Sequence, residues 1–368
     1  MLALSVSMAG PLPTFREHLI AGDLKGGYQV VPFDVNRDGR MDLIALASGM
    51  PDLVWFENPG WQRRTLAKGV ARMINLAACP ALDEIVVAHA FENVPKRSVG
   101  MVSVLTPGAN RSEPWTVREI DRLTTSHRLR CADIDGSGKP VVINAPLAGE
   151  KADAPDYRDT TPLVYYKPGE WKRIEINRAN EGVVHGVYIT RWRGAAKPEC
   201  VLTASFSGLH AHCYENGAWT RTLIHKGNDG VGPKAGSSDV AVGHARRKRF
   251  LAAVEPWHGE QVAVYREAKG GAWSREVIDT TLVDGHTIIT VDLDGDGRDE
   301  VVAGYRGQGR SVYIYQERGK KWEKTVLDNG GIAAAACAAA DLNGDKRPDL
   351  ACIGSATTNL KWYENLGK

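Results

Sequence analysis

The chain of 368 residues carries 46 Lys and Arg against 44 Asp and Glu, a net charge of +2. The two signs are interspersed and no basic stripe with interleaved aromatics occurs, which excludes nucleic acid as the natural partner. No apolar run approaches the ~20 residues of a membrane helix, so no membrane span is expected.

Residues 1–13 are mildly apolar but have no basic n-region. They read as a loose N-terminal segment, with a signal-peptide remnant as the alternative, and the compartment stays open. Phe15-Arg16-Glu17-His18-Leu19-Ile20 then introduces a pattern of an aromatic followed by a charged, alternating run. The pattern recurs at residues 61–66, 115–120, 171–176, 219–224, 273–278 and 322–327, each time led by a tryptophan. Trp61, Trp115, Trp171, Trp219, Trp273 and Trp322 are 54, 56, 48, 54 and 49 residues apart, the size of a propeller blade.

Four short strands fit each period. An apolar inner strand A (287–291) leads through an acidic turn to strand B (300–304). An alternating aromatic strand C (312–315) and the Trp-led outer strand D follow. The last period stops after its C strand at 360–363, and the missing D strand is the run at 15–20. The expected fold is therefore all-β: a seven-bladed β-propeller of four-stranded antiparallel blades, one domain over 14–368, with the N-terminal strand completing the last blade and leaving no free sheet edge.

The six cysteines, Cys79, Cys131, Cys200, Cys213, Cys337 and Cys352, form no CxxC pair, and five lie in apolar runs. They read as buried free thiols, which favours a reducing compartment.

Four A–B turns carry an acidic ladder. In the first blade it is Asp34, Asn36, Asp38 and Asp42; in the sixth, Asp292, Asp294, Asp296 and Glu300; in the seventh, Asp341, Asn343, Asp345 and Asp349. The third blade has Asp133 and Asp135 but Val141 where the late acid belongs. Oxygen ligands at alternate positions followed by a late carboxylate suit Ca²⁺ as a structural ion pinning strand A to strand B; self-capped Asx turns are the alternative. These loops resemble the FG-GAP or VCBS repeat of integrin-type propellers, whose loops bind calcium in many members.

If the A–B turns occupy one face, the D–A and B–C connections occupy the other. His127, His185 and His286 then stand at the starts of A strands beside the central channel, and His89, His210, His212 and His258 fall in or next to B–C loops. Counting back six residues from the first loop aspartate aligns Tyr28 with His127 and His286; a looser alignment adds Arg72, His185 and Ser238. Trp257, Tyr305, Arg306 and Asn144 belong to the same face, and the loop 147–161, with Lys151, Asp153, Asp156, Tyr157 and Arg158, can wall it. The expected catalytic set is Tyr28, Arg72, His127, His185 and His286, and the expected substrate-binding set is His89, Asn144, His210, His212, Trp257, His258, Tyr305 and Arg306. Such a ring suits proton abstraction beside a carbonyl, with Arg or a metal stabilising the oxyanion. Three histidines can also hold Zn²⁺ or another divalent metal in the channel. Any one of them alone is as well explained as a hydrogen-bonded plug.

Trp55-Phe56-Glu57-Asn58-Pro59-Gly60-Trp61, and Gly285-His286-Thr287 leading into the 292–297 loop, resemble the propeller part of aldos-2-ulose dehydratase and its relatives. Propeller polysaccharide lyases are similar in using His, Tyr and Arg around the channel. The resemblance implies a carbon–oxygen lyase acting on a small carbohydrate: a keto-sugar, an anhydro-sugar or a uronate. The cupin domains of the dehydratase have no counterpart, so no isomerisation is expected. The alternative is a calcium-stabilised, non-catalytic propeller that binds sugar or protein. Residues on the histidine face differ from blade to blade while structural residues repeat, which favours one central site with divided roles.

Overall fold

The computed structural model describes residues 10–368; residues 1–9, most of the expected N-terminal segment, lie outside the described residues. Seven four-stranded antiparallel sheets form a ring. Their inner strands are Gly27–Phe33, Asn75–Ala78, Ser126–Ala132, Val184–Thr190, Asp239–Ala245, Gly285–Val291 and Ala334–Ala340. Blade seven is completed by the N-terminal strand Phe15–Ala21, which pairs with Leu360–Asn365 in a register that sets Phe15 opposite Asn365 and His18 opposite Trp362. Ahead of it, the carbonyl of Gly10 accepts from Arg318 and the amide of Thr14 donates to Gly367. No helix is long and apolar enough to cross a membrane among the described residues.

Burial explains each strand's composition. Strand B is covered on both faces, as in Asp42–Ala47 and Glu300–Tyr305, and is apolar apart from the late acid. Strand D faces solvent along most of its length, as in Lys321–Asn329, and carries the charges. Between neighbouring blades a buried C-strand tyrosine reaches a carboxylate at the end of the preceding D strand. Tyr166 donates to Asp121 (2.6 Å), Tyr315 to Asp279 (2.7 Å) and Tyr363 to Asp328 (2.7 Å). Arg173, Lys324 and Lys361 neutralise these three acids. A second tie runs along the acidic-turn face. Asn58 of blade one donates to the Leu342 carbonyl of blade seven, and Asn365 of blade seven donates to the Leu293 carbonyl of blade six.

The cysteines correct the sequence reading: all six are paired. Cys337 and Cys352 face each other in adjacent strands with Cα atoms 4.1 Å apart, as do Cys200 and Cys213 at 4.5 Å. Cys79 and Cys131 join the inner strands of blades two and three, Cα atoms 5.7 Å apart. The apolar runs that suggested isolated thiols are cross-strand neighbours, a relation that spacing along the chain does not reveal.

Three of the expected binding histidines also lie inside blades, away from the channel. His89 bonds Ser103 (2.9 Å), and His210 lies buried in strand C of blade four. His212, in the same strand, accepts from Asn177 of blade three (2.8 Å) and bonds Thr203 (3.0 Å). Burial, with help from His210 and Arg221, pushes the His212 imidazole down to about 3.

Two outcomes are expected. Denatured without reductant, the protein exposes no thiol to Ellman's reagent, and Cys79→Ala/Cys131→Ala loses about 4 kcal/mol by loop entropy for a separation of 52 residues. Six reactive thiols would instead restore the free-cysteine reading. For His212 the folded state refuses a proton that the unfolded chain accepts near pH 6.5, so its contribution is complete above that pH and is lost as pH falls toward 3. Urea unfolding between pH 7 and pH 5 should show wild type losing about 1.4 kcal/mol per pH unit more than His212→Gln below pH 6.5. Parallel slopes would remove His212 from the acid response.

Candidate active site

One backbone device aims the channel residues. At the start of five inner strands the pairing with strand B slips by one residue, so two residues bracket an extra one. The extra residues are Tyr28, His127, His185, His286 and Ala335. A bulge leaves its residue outside the ladder and re-aims the side chain, here away from the blade and over the channel mouth. Four of these side chains, joined by Arg72, Phe91, Tyr157, Trp257, His258 and Arg306 from the connections, line a cup of about 590 Å³.

The hydrogen bonds orient the imidazoles. His286 Nδ1 donates to the Ala335 carbonyl (2.6 Å), which leaves Nε2 as the acceptor; that atom is buried and has no partner. His185 Nδ1 donates in the same way to the Ser238 carbonyl (3.1 Å), and its Nε2 lies 3.3 Å from Nε2 of His258. His258 Nδ1 meets Arg306 Nη2 at 3.2 Å and Asp284 Oδ1 at 3.2 Å, and Arg306 makes two bonds to Asp284 (3.0 and 3.1 Å). Tyr28 Oη and His127 Nε2 are 2.7 Å apart. The Tyr28 ring lies 5.2 Å from that of His286, edge-on. Burial holds His127, His185 and His286 well below the usual imidazole range, with Arg128 or Arg306 adding repulsion, so all three are neutral at pH 7. His258 is lowered by burial too, against the pull of Asp284.

Aromatic groups form one wall. Trp257 meets Tyr157 edge-on (5.3 Å) and packs beside Phe206 (5.5 Å), so the loop after Leu147 does flank the cup. Arg72, Tyr157, His258 and Asp284 all hold φ between 50° and 60°, a left-handed conformation that non-glycine residues adopt at a cost and that clusters at functional sites.

Of the thirteen residues expected on this face, the structure gathers Tyr28, Arg72, His127, His185, His286, Trp257, His258 and Arg306. Besides the three blade histidines, it sets two others apart. Asn144 bonds Ser126 and Tyr166 inside blade three, and Tyr305 is buried near Ser311 and Tyr313. The histidine trio also changes membership. Ligand atoms within 4.8 Å of one another come from His185, His258 and His286, whereas His127 is occupied by Tyr28. Asp284 and Glu92 went unnoticed in the sequence. Asp284 stands two residues before His286 in a D–A connection, and that position was the available signal.

On the opposite face the acidic turns are largely closed on themselves. Asp34, Asp292 and Asp341 accept backbone N–H groups from their own loops. The late acids Asp42, Glu300 and Asp349 accept the N–H of Val35, Leu293 and Leu342. Asn36 and Asn343 donate to Glu57 and Asp345, and Asp38, Asp296 and Asp345 cap the residues two further on. Among the described residues, only Asp292, Asp294 and Glu300 bring three carboxylates of such a loop within 4.8 Å.

Two stretches of the chain match known families. Residues 100–268, which contain His127, His185 and His258, match the β-propeller domain family of aldos-2-ulose dehydratase, and residues 292–352 match an FG-GAP-like repeat. Aldos-2-ulose dehydratase of Phanerodontia chrysosporium is 24% identical over an alignment of 387 residues that covers 88% of this chain; the chain spans 42% of that protein's length. The WD40 β-propeller domain of Doa1 superposes with a TM-score of 0.60 at 14% identity over 95% of this chain and 97% of its own, a likeness of fold alone. The chain is a seven-bladed β-propeller with an FG-GAP-like repeat, similar to the propeller domain of aldos-2-ulose dehydratase.

Proposed function

We propose that the cup is the active site of a carbon–oxygen lyase that removes water from a neutral keto-sugar or anhydro-sugar. The observation that carries this reading is the free, buried Nε2 of His286 beside the Tyr28–His127 pair. Similarity to a dehydratase supports a carbohydrate substrate. A neutral sugar is favoured over a uronate because both cup arginines are already paired, Arg72 with Glu92 and Arg306 with Asp284.

In this reading the neutral His286 takes a proton from the carbon beside the sugar carbonyl through Nε2, its Nδ1–H held by Ala335. The electron pair forms the new C=C bond as the C–O bond on the next carbon breaks. Tyr28, its phenol oriented by the hydrogen bond to His127, passes its proton to the departing oxygen, which leaves as water; the proton gained by His286 then returns to the Tyr28 phenolate through solvent and closes the cycle. The Arg306–Asp284–His258 relay orients a second donor, Nε2–H of His258, toward His185 and the cup. Trp257 offers an indole face for the apolar side of a pyranose.

A second reading is favoured by the convergence of His185, His258 and His286, which fits a divalent ion such as zinc. Carbonyl acceptors behind His185 and His286 are the outer-shell partners such ligands need. An ion there would supply Lewis acidity to a carbonyl oxygen, and His286 would be a ligand, no longer a base. Calcium, as a stabilising ion only, would have its best place in the blade-six loop, where Asp292, Asp294 and Glu300 converge.

A panel of keto-sugars and anhydro-sugars followed by ultraviolet absorbance should reveal a new conjugated carbonyl. His286→Gln and Tyr28→Phe should each lower kcat about 10²- to 10⁴-fold with unchanged melting temperature. Saturable sugar binding without turnover would leave the binding propeller. Elemental analysis after purification without chelator should find far less than one zinc per chain, with activity retained in EDTA; one equivalent of zinc would transfer the trio to the metal reading. In the same series calcium should raise the melting temperature of wild type and not of Asp294→Asn.

A further inference from the structure

Below the histidines the channel continues as a second cavity of about 380 Å³ that shares Tyr28 and His286 with the cup and runs along the inner strands past Pro32, Ala78 and Ala338. Its polar lining is unlike the rest of the ring. Three cations that reach between blades elsewhere are matched by carboxylates: Arg173 by Asp121, Arg275 by Glu255 and Lys361 by Asp328. Arg128 is only 6% exposed, and its Nε donates to the His185 carbonyl (2.8 Å) while the guanidinium lies over the Tyr28 ring. Arg130 spends Nη1 on Asn75 (3.0 Å) and on the Leu129 carbonyl (2.8 Å). No carboxylate among the described residues forms an ion pair with either arginine within 4.0 Å.

The one acid lining this cavity is Asp239, which turns an oxygen to the backbone N–H of Val240 (2.9 Å). Burial pushes the Asp239 carboxyl up against the pull of Arg128 and Arg130, and even with Asp239 ionised two arginines against one aspartate leave a charge of +1 inside the ring (2 − 1). An unmatched buried charge is costly, and burial together with repulsion from Arg128 pushes the Arg130 guanidinium down to about 10. On the remaining walls burial holds the His286 imidazole well below its usual range and pushes the Tyr188 phenol up, so neither brings a negative charge at neutral pH.

We propose that this cavity is an anion site that holds one small organic carboxylate between Arg128 and Arg130. A monoanion cancels the charge left by the three groups, and a planar carboxylate matches the fork of a guanidinium through paired hydrogen bonds. A phosphate dianion overshoots that charge, and a halide offers no second acceptor atom. The site adjoins the sugar cup across Tyr28 and His286, but its charged groups, Arg128 and Arg130, are not part of the cup, and it does not rest on the lyase reading. Its ligand enters from the sugar side or from the acidic-turn side of the ring.

The test is a thermal-shift titration with sodium acetate at pH 7.5, sodium chloride and sodium phosphate serving as parallel arms at matched ionic strength. Acetate at about 100-fold its Kd should raise the melting temperature by a few degrees or more, saturably, and more than either other anion. Arg128→Met and Arg130→Met should each abolish the rise, while Arg118→Met, an exposed arginine on strand D of blade two, should retain it. Both channel variants should melt no lower than wild type in acetate-free buffer, because each removes an unmatched buried charge. As a readout independent of variant folding, the ¹³C line of labelled acetate should broaden with wild-type protein and sharpen again on adding excess unlabelled acetate. An acetate effect that survives in Arg128→Met, equal effects of all three anions, or an unbroadened line would overturn the proposal.

Discussion

The site depends on a slip of one residue at the start of five of the seven inner strands. In a regular ladder, neighbouring side chains alternate between the two faces of a blade, and both faces are packed against other blades. A side chain can point into the channel mouth only where that alternation fails. The bulges at Tyr28, His127, His185 and His286 supply the failure, and they do so at the end of the strand where ladder bonds are easiest to forgo. Because the strands converge on one axis, four separate local irregularities bring their rings to about 5–6 Å from one another.

Holding those rings in place requires blades that do not shift against each other. The tyrosine–carboxylate–cation ties between blades are directional, and each is sealed from water at the phenol. Breaking one leaves a buried carboxylate or hydroxyl without its partner, which costs more than the bond contributes when made. Asn58 and Asn365 extend the same restraint to the acidic-turn face at the junctions of blades one, seven and six. The disulfide between Cys79 and Cys131 adds a covalent restraint in the channel wall, anchored in the strand that carries His127.

The blade count, the strand order and the closing role of residues 15–20 were legible because each is written several times over in the tryptophan period. Tyr28, His127 and His286 were legible for a related reason: the acidic turn gives a fixed point from which to count. Properties that arise between strands were not. Cys337 and Cys352 are 15 residues apart in the chain and opposite one another in space, which only the register reveals. His212 and His258 look alike as histidines near B–C loops, yet one sits on a strand between blades and the other on a left-handed turn over the channel. Burial and neighbours separate them, and neither is a property of a short window of sequence. Asn144 and Tyr305 stand outside the cup for the same reason, since both are strand residues bonded within their own blades.

The bulge also changes what variation can do. A residue outside the ladder takes no part in the pairing of strand A with strand B, so its identity is not tied to the register of its own blade. Read round the channel, the bulged positions spell Tyr, His, His, His and Ala, one letter per contributing blade. Each letter can be rewritten without rewriting the scaffold that displays it. Ala335, the smallest of them, leaves its carbonyl as the partner of His286 and the side-chain position beside it unused. The ring thus behaves as a short alphabet of adjustable chemistry set in a rigid frame, with one place still blank.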